Sequence, residues 1–212
     1  MKTFVYKLRL SPTQAALFDE TLETCRRLYN HALAERKTAY SERGETLAFT
    51  RQSATLPQLK QSWHWLKRVH SQVLQDVLHR LQHAFDSFFR RLKAGQSLGY
   101  PRFRGKGWYD SFTYRQWGNG AAMERGRLVL SKIGAVRIVR DRPIHGKPKT
   151  CTIVRKADGW YAHIACEVPI EPLPPTGKAV GVDVGLESFA TLSDGTSIPN
   201  PRLYRTTERK LK

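Results

Sequence analysis

The sequence predicts an α+β fold. A small β-barrel is interrupted after its first strand by an inserted helical module, and a strand and hairpin follow a Pro-rich linker. Three observations carry this. Residues 3–10 alternate apolar and basic, the period of a half-buried strand. Residues 11–93 carry apolar side chains at helical spacing. Residues 111–168 return to short alternating runs divided by turn residues, at the intervals of a barrel or sandwich. A chain of 212 residues with 40% hydrophobic content holds one large domain or two small ones around a real core.

The first strand, 3–10, places Phe4, Tyr6, Leu8 and Leu10 on one face and Lys7 and Arg9 on the other. Its apolar face needs a sheet that only the later strands provide, so it returns to join them. Ser11 then caps a helix, with Pro12 at its first position and Gln14 at its third. Phe18, Leu22, Cys25, Tyr29, Ala32 and Leu33 form the buried stripe, and residues 41–44 end the helix. Residues 47–55 are polar and ambiguous. Pro57 is expected to open a second helix running past Trp63, Leu66 and Val69. The clearest helix spans 71–93, where Val73 to Leu92 give a wide apolar face that includes Phe85, Phe88 and Phe89 and reads as core. Gln72, Asp76, His79 and His83 lie among the residues opposite, and the pair His79 and His83 is expected on a solvated face rather than on a metal.

Strands are expected at 111–117, 127–130, 135–140, 150–156 and 160–168. The last two form a hairpin across Ala157-Asp158-Gly159, where Gly159 suits a positive φ. Residues 169–177 are a stiff Pro-rich linker and the one plain domain boundary. Beyond it Val180, Val182 and Val184 read as a buried strand, and Asp194-Gly195 as a hairpin turn.

A net charge of +18 points to a polyanionic partner. No stretch reads as a transmembrane span or a signal peptide, so no membrane is expected. Cys25, Cys151 and Cys166 are odd in number and widely spaced, which favours a reducing cytoplasm and argues against zinc in this chain. The charge concentrates between Arg90 and Tyr109. There Arg90, Arg91, Arg102, Arg104 and Lys106 interleave with Tyr100, Phe103, Trp108 and Tyr109. Cations for phosphate beside aromatic rings for stacking are what a nucleic-acid surface needs. Arg26, Arg27 and Asn30 fall off the first helix's buried stripe and join the candidates. Asp183 is the other candidate site residue. It interrupts an apolar strand, and burying its carboxylate is costly unless it is paired or binds a metal. A strand with Gly-x-Asp-x-Gly before a hairpin suits RNase H-like nucleases and actin-like phosphotransferases. The actin-like reading needs a second phosphate loop and leaves the charge unexplained.

The order of these features resembles the TnpB (OrfB-type) proteins of insertion sequences, RNA-guided DNA nucleases related to the type V CRISPR effectors. Lys7-Leu-Arg-Leu-Ser-Pro-Thr-Gln14 is similar to the family's opening strand and cap, and Cys25-Arg-Arg-Leu-Tyr-Asn30 to its first-helix motif. Gly99-Tyr-Pro-Arg-Phe-Arg104 resembles its Pro-Arg-Phe loop, and Ala179-Val-Gly-Val-Asp-Val-Gly185 the first strand of its RuvC domain. The resemblance implies a wedge barrel built from residues 1–10 and 96–170, with a recognition module at 11–95. A linker at 171–177 and the start of an RNase H-like (RuvC) domain at 178–212 follow. It further implies a guide RNA from the transposon end and target double-stranded DNA as partners, in the cytoplasm at the nucleoid. Residues matching the family cover only its N-terminal half, as expected of a decayed or frameshifted transposon gene, of a truncated chain, or of a chain whose partner supplies the rest. RuvC cleavage takes three acids around two Mg²⁺ ions. Asp183 matches one of them; Glu187, Asp194 and Glu208 match neither of the others. The expectation is a chain that binds nucleic acid and is inactive as an endonuclease by itself. The alternative is a non-cleaving RNA- or DNA-binding regulator.

Overall fold

The computed structural model describes residues 1–96, 99–139, 141–169, 177 and 179–211. It divides into two units, Met1–Pro169 and Ile170–Lys212. In the first, strand β1 (Lys2–Arg9) leads into helix α1 (Pro12–Arg43), then α2 (Phe49–Ser62), a 3-10 turn (His64–Arg68) and α3 (Ser71–Lys93). Six strands follow: β2 (Ser111–Tyr114), β3 (Ala121–Glu124), β4 (Arg127–Leu130), β5 (Gly134–Val139), β6 (Lys147–Lys156) and β7 (Gly159–Glu167).

These seven strands form one antiparallel sheet in the order β2-β6-β7-β1-β5-β4-β3. The first strand does return to the later ones, and it lies at the centre. Phe4 sits opposite Ile164 on β7, and Leu8 opposite Ile138 on β5. The sheet curls far enough for the Tyr114 hydroxyl of β2 to donate to the Ser131 carbonyl just past β4, at 3.0 Å. It is a half-barrel: among the described residues no ladder joins β2 to β3. Both edge strands are only four residues long, one of the ways sheets protect open edges.

Local chemistry sets α1. The Gln14 amide donates to Ser11 Oγ at 3.2 Å and the Ser11 amide to Gln14 Oε1 at 3.1 Å, a full capping box. Gly44, with φ +62°, closes the other end in the left-handed conformation that glycine adopts without strain. The predicted stripe from Phe18 to Leu33 is buried throughout. Helix α2 corrects the sequence reading: it begins at Phe49, and Pro57 lies inside it. What holds it is Gln52, buried against α1. Its Nε2 donates to the Ala32 carbonyl at 2.9 Å, and its Oε1 accepts from Arg36 Nε at 2.7 Å.

Helix α3 has the predicted bounds but not the predicted faces. It packs against both α1 and β2, so Gln72 and Asp76, opposite the apolar face, are buried as well. His79 is half-buried against Phe49, with ring centroids 3.9 Å apart. In its last turns the correction runs the other way: Phe89 and Leu92 are exposed.

In the second unit β8 (Val182–Asp183), β9 (Ser188–Leu192) and β10 (Ser197–Pro199) form a three-stranded antiparallel sheet, followed by α4 (Leu203–Leu211). Val180, Val182 and Val184 are exposed here, against the buried strand expected of them. Among the described residues of this unit the three strands leave that face open. Residues 170–176 of the expected linker lie outside the described residues. Among the described residues no helix is long and apolar enough to cross a membrane.

Candidate nucleic-acid interface

The basic-aromatic run is carried as a strip across the face of α1, fixed at three places. At its start Pro101 is buried. In the middle Asn30 clamps the backbone of Arg104: its Nδ2 donates to the Arg104 carbonyl at 2.9 Å, and its Oδ1 accepts the Arg104 amide at 2.8 Å. Arg26 Nη1 adds a third bond to the same carbonyl at 3.0 Å while its Nε and Nη2 hold the Glu23 carboxylate. At its end Tyr109 is buried, with the Arg80 guanidinium 5.6 Å from its ring.

Arg26 and Asn30 therefore bind the strip itself rather than stand ready for phosphate. Tyr109 is an anchor too; burial pushes its phenol well above the ordinary range and keeps its ring from any stacked base. What remains exposed between the anchors is Arg102, Phe103, Arg104, Lys106 and Trp108. Phe103 is 51% and Trp108 78% exposed, so both rings are open to stacking. The Arg104 guanidinium lies 5.7 Å from the Tyr29 ring. Arg27 is exposed over Trp65 at 4.7 Å. Arg90 is exposed, whereas Arg91 is half-buried and donates to the Ser87 and Gly99 carbonyls, both at 3.3 Å. The sequence reading missed Lys37, whose Nζ sits 5.2 Å from the Phe103 ring and 5.9 Å from that of Tyr100. The signal was present: Arg26, Asn30 and Lys37 recur at the four- and seven-residue spacings of one helix face.

Asp183 stands apart. It is exposed on the two-residue β8, opposite Thr191. Asp194 caps its own turn by accepting the Thr196 amide at 2.9 Å, and that bond holds its carboxyl below the usual range. Among the described residues no three His, Cys, Asp or Glu side chains are grouped so as to hold a metal ion. These donors do not fit a two-ion centre.

A family model described as a helix-turn-helix domain, of the OrfB IS605 type, matches residues 1–45. Those residues form β1 and the unbroken α1, so the match contains one helix and no helix-turn-helix. The putative RNA-guided DNA endonuclease InsQ of Escherichia coli K12 is 30% identical over 100% of this chain and 52% of its own length. A putative RNA-guided DNA endonuclease of Streptomyces pristinaespiralis is 33% identical over 97% of the chain and 52% of its own length. The chain thus spans about half the length of the curated relatives it matches. A Cas12f1–sgRNA–target DNA complex matches at 13% identity and TM-score 0.40, over 100% of this chain and 60% of that one. A CRISPR-Cas12f ternary complex matches at 11% identity and TM-score 0.44, over 93% and 50%. At these scores the structural likeness is distant. The family model covers the motifs at Lys7–Gln14 and Cys25–Asn30, the two relatives match nearly the whole chain, and together they make it similar to the N-terminal part of the TnpB (OrfB-type) proteins.

Proposed function

We propose that the chain is the nucleic-acid-binding half of an RNA-guided DNA endonuclease of the TnpB type. The Met1–Pro169 unit would hold the guide RNA and then target DNA, its sheet acting as the wedge and its helices as the recognition module. The observation that supports this most is the exposed strip Arg102–Trp108, pinned to α1 by Asn30. Phosphates meet the cations, and bases stack on Phe103 and Trp108. Because the backbone is already fixed, binding loses less to ordering of the loop.

Affinity for single-stranded RNA is expected to fall steeply with salt. Six cations of the strip and the neighbouring helices, Arg27, Lys37, Arg90, Arg102, Arg104 and Lys106, are exposed. If each meets one phosphate, the logarithmic slope is about −4, or roughly 300-fold between about 50 and about 200 mM salt. Arg102→Ala with Arg104→Ala is expected to weaken binding and flatten the slope with little change in Tm, as both side chains are exposed. Filter binding across a salt series checks this. A salt-independent Kd would defeat the reading, and an unaltered double variant would remove the strip from the site.

In the same reading the Ile170–Lys212 unit opens a RuvC-like domain, and Asp183 is the one metal-binding carboxylate it brings. Asp183 alone cannot position two ions, and Glu187 and Asp194 are not grouped with it among the described residues. The purified chain with Mg²⁺ is therefore expected to leave a target plasmid intact. That arrangement also favours a second reading, a non-cleaving RNA- or DNA-binding regulator. Guide-directed cutting that vanishes in Asp183→Ala would exclude the regulator and show that further ligands complete the site.

A further inference from the structure

A groove of about 650 Å³ opens between the end of α1, the start of α2 and the last turns of α3. Its volume lies within the range of small-molecule pockets, roughly 300–1,000 Å³. Aromatic side chains dominate its wall, among them Phe85, Phe89 and Tyr100. Phe89 is 45% exposed, on a helix face that its apolar pattern would bury.

The lining also carries Glu45, Thr46 and Thr50, and two of its residues each hold a buried polar atom without a partner. Arg36 is only 7% exposed; its Nε is taken by Gln52, its guanidinium lies 5.0 Å from the Phe85 ring, and its Nη2 is buried with no hydrogen-bond partner. Gln82 donates from Nε2 to Asp86 Oδ1 at 2.8 Å, which fixes its amide orientation and leaves Oε1 buried without a partner. Both residues line the groove. A buried donor and a buried acceptor left unmet are costly and few in folded proteins. A ligand that meets both must be flat enough for the aromatic wall and carry an acceptor and a donor on its edge. An aliphatic chain meets neither atom, whereas a nucleobase meets both.

The groove is also continuous with the strip. Lys37 lies against Phe103 of the strip and against Tyr100 of the groove, so one cation spans the junction. A strand lying along the strip places a phosphate at Lys37 and can turn its next base inward.

We propose that this groove receives one unstacked nucleobase of the bound single strand, RNA or unwound DNA. The ring packs on Phe89 and Tyr100, and the edge meets Arg36 Nη2 and Gln82 Oε1. The site rests on the nucleic-acid-binding function proposed above and adds a base pocket to it.

The test uses the full chain with a short RNA, a DNA of the same sequence, and copies of each with single abasic positions. Phe89→Ala and Gln82→Leu are compared with wild type, with thermal unfolding as the control for folding. Phe89→Ala removes an exposed ring, so its Tm should hold. Each variant is expected to bind about fivefold more weakly or worse, the size of one lost stacked base. One abasic position should weaken wild type but not Phe89→Ala. Loss with RNA alone, or with DNA alone, identifies the source of the base. Variants that bind like wild type, or an abasic penalty that persists in Phe89→Ala, overturn the pocket and leave the strip untouched. Wild type that binds neither strand overturns the nucleic-acid function and the pocket together.

Discussion

A chain lacking residues 1–10 is expected to lose the fold of the whole Met1–Pro169 unit, not merely one edge of its sheet. Strand β1 is hydrogen-bonded on both sides, to β7 from Lys2 to Lys7 and to β5 from Lys7 to Arg9. Removing it separates β2-β6-β7 from β5-β4-β3 and leaves two new open edges. It also removes Phe4, Tyr6 and Leu8, all buried. Three such side chains contribute about 5–9 kcal/mol at about 1.5–3 kcal/mol each, comparable to the entire stability of a typical domain. Circular dichroism and hydrogen exchange on the truncated chain check this. A cooperative melt with protected amides in β6 and β7 would show that the later strands fold without β1.

Much of this topology was legible because its causes are local. The capping box of α1 lies within four residues, and its stripe within one helix. That β1 returns to the later strands followed from an alternating strand whose apolar face needed a sheet; its place at the centre did not. Other features depend on partners far away in sequence. Strand β3 carries Ala121, Ala122 and Met123, with no β-branched residue and with Gly118 and Gly120 before it, so only its pairing with β4 makes it a strand. Helix α3 was assigned one buried face because amphipathic helices usually have one. It has two, since β2 packs against the polar side. The valines at 180, 182 and 184 carry the pattern of burial, but a pattern cannot supply the covering layer.

The site divides in the same way. Composition alone singled out Arg102 to Lys106 as candidates, and the structure leaves them exposed. It could not separate contacts from supports. Asn30 and Arg26 looked like phosphate ligands, yet they bind the Arg104 carbonyl from 74 and 78 residues away. Arg36 went unnoticed although it continues the buried stripe Cys25, Tyr29, Ala32 at helical spacing. An arginine on an apolar stripe is the local sign of a buried charge that requires an explanation.

Asp76→Ala is expected to destabilise the protein by about 3–5 kcal/mol, the cost of stranding a buried charge by removing its partner. Asp76 receives Arg80 Nε at 2.7 Å and Arg115 Nη1 at 3.3 Å. Arg80 in turn donates to the Ser111 carbonyl at 2.9 Å and to Thr113 Oγ1 at 2.9 Å, tying α3 to β2. It also lies over Tyr109, the anchor at the end of the strip, so one guanidinium joins helix, sheet and candidate interface. Without Asp76 that charge stays where it is, half-enclosed and uncompensated. Removing both charges together, as Asp76→Leu with Arg80→Met, is expected to cost less than the two single changes summed, because the stranded charge goes too. Urea unfolding of the two singles and the double closes the cycle. The single change should also weaken RNA binding at temperatures where the protein remains folded, through loosening of the Tyr109 anchor. An Asp76→Ala protein that loses less than about 1 kcal/mol, within the range of an ordinary surface ion pair, would show that β2 holds Arg80 in place without the carboxylate.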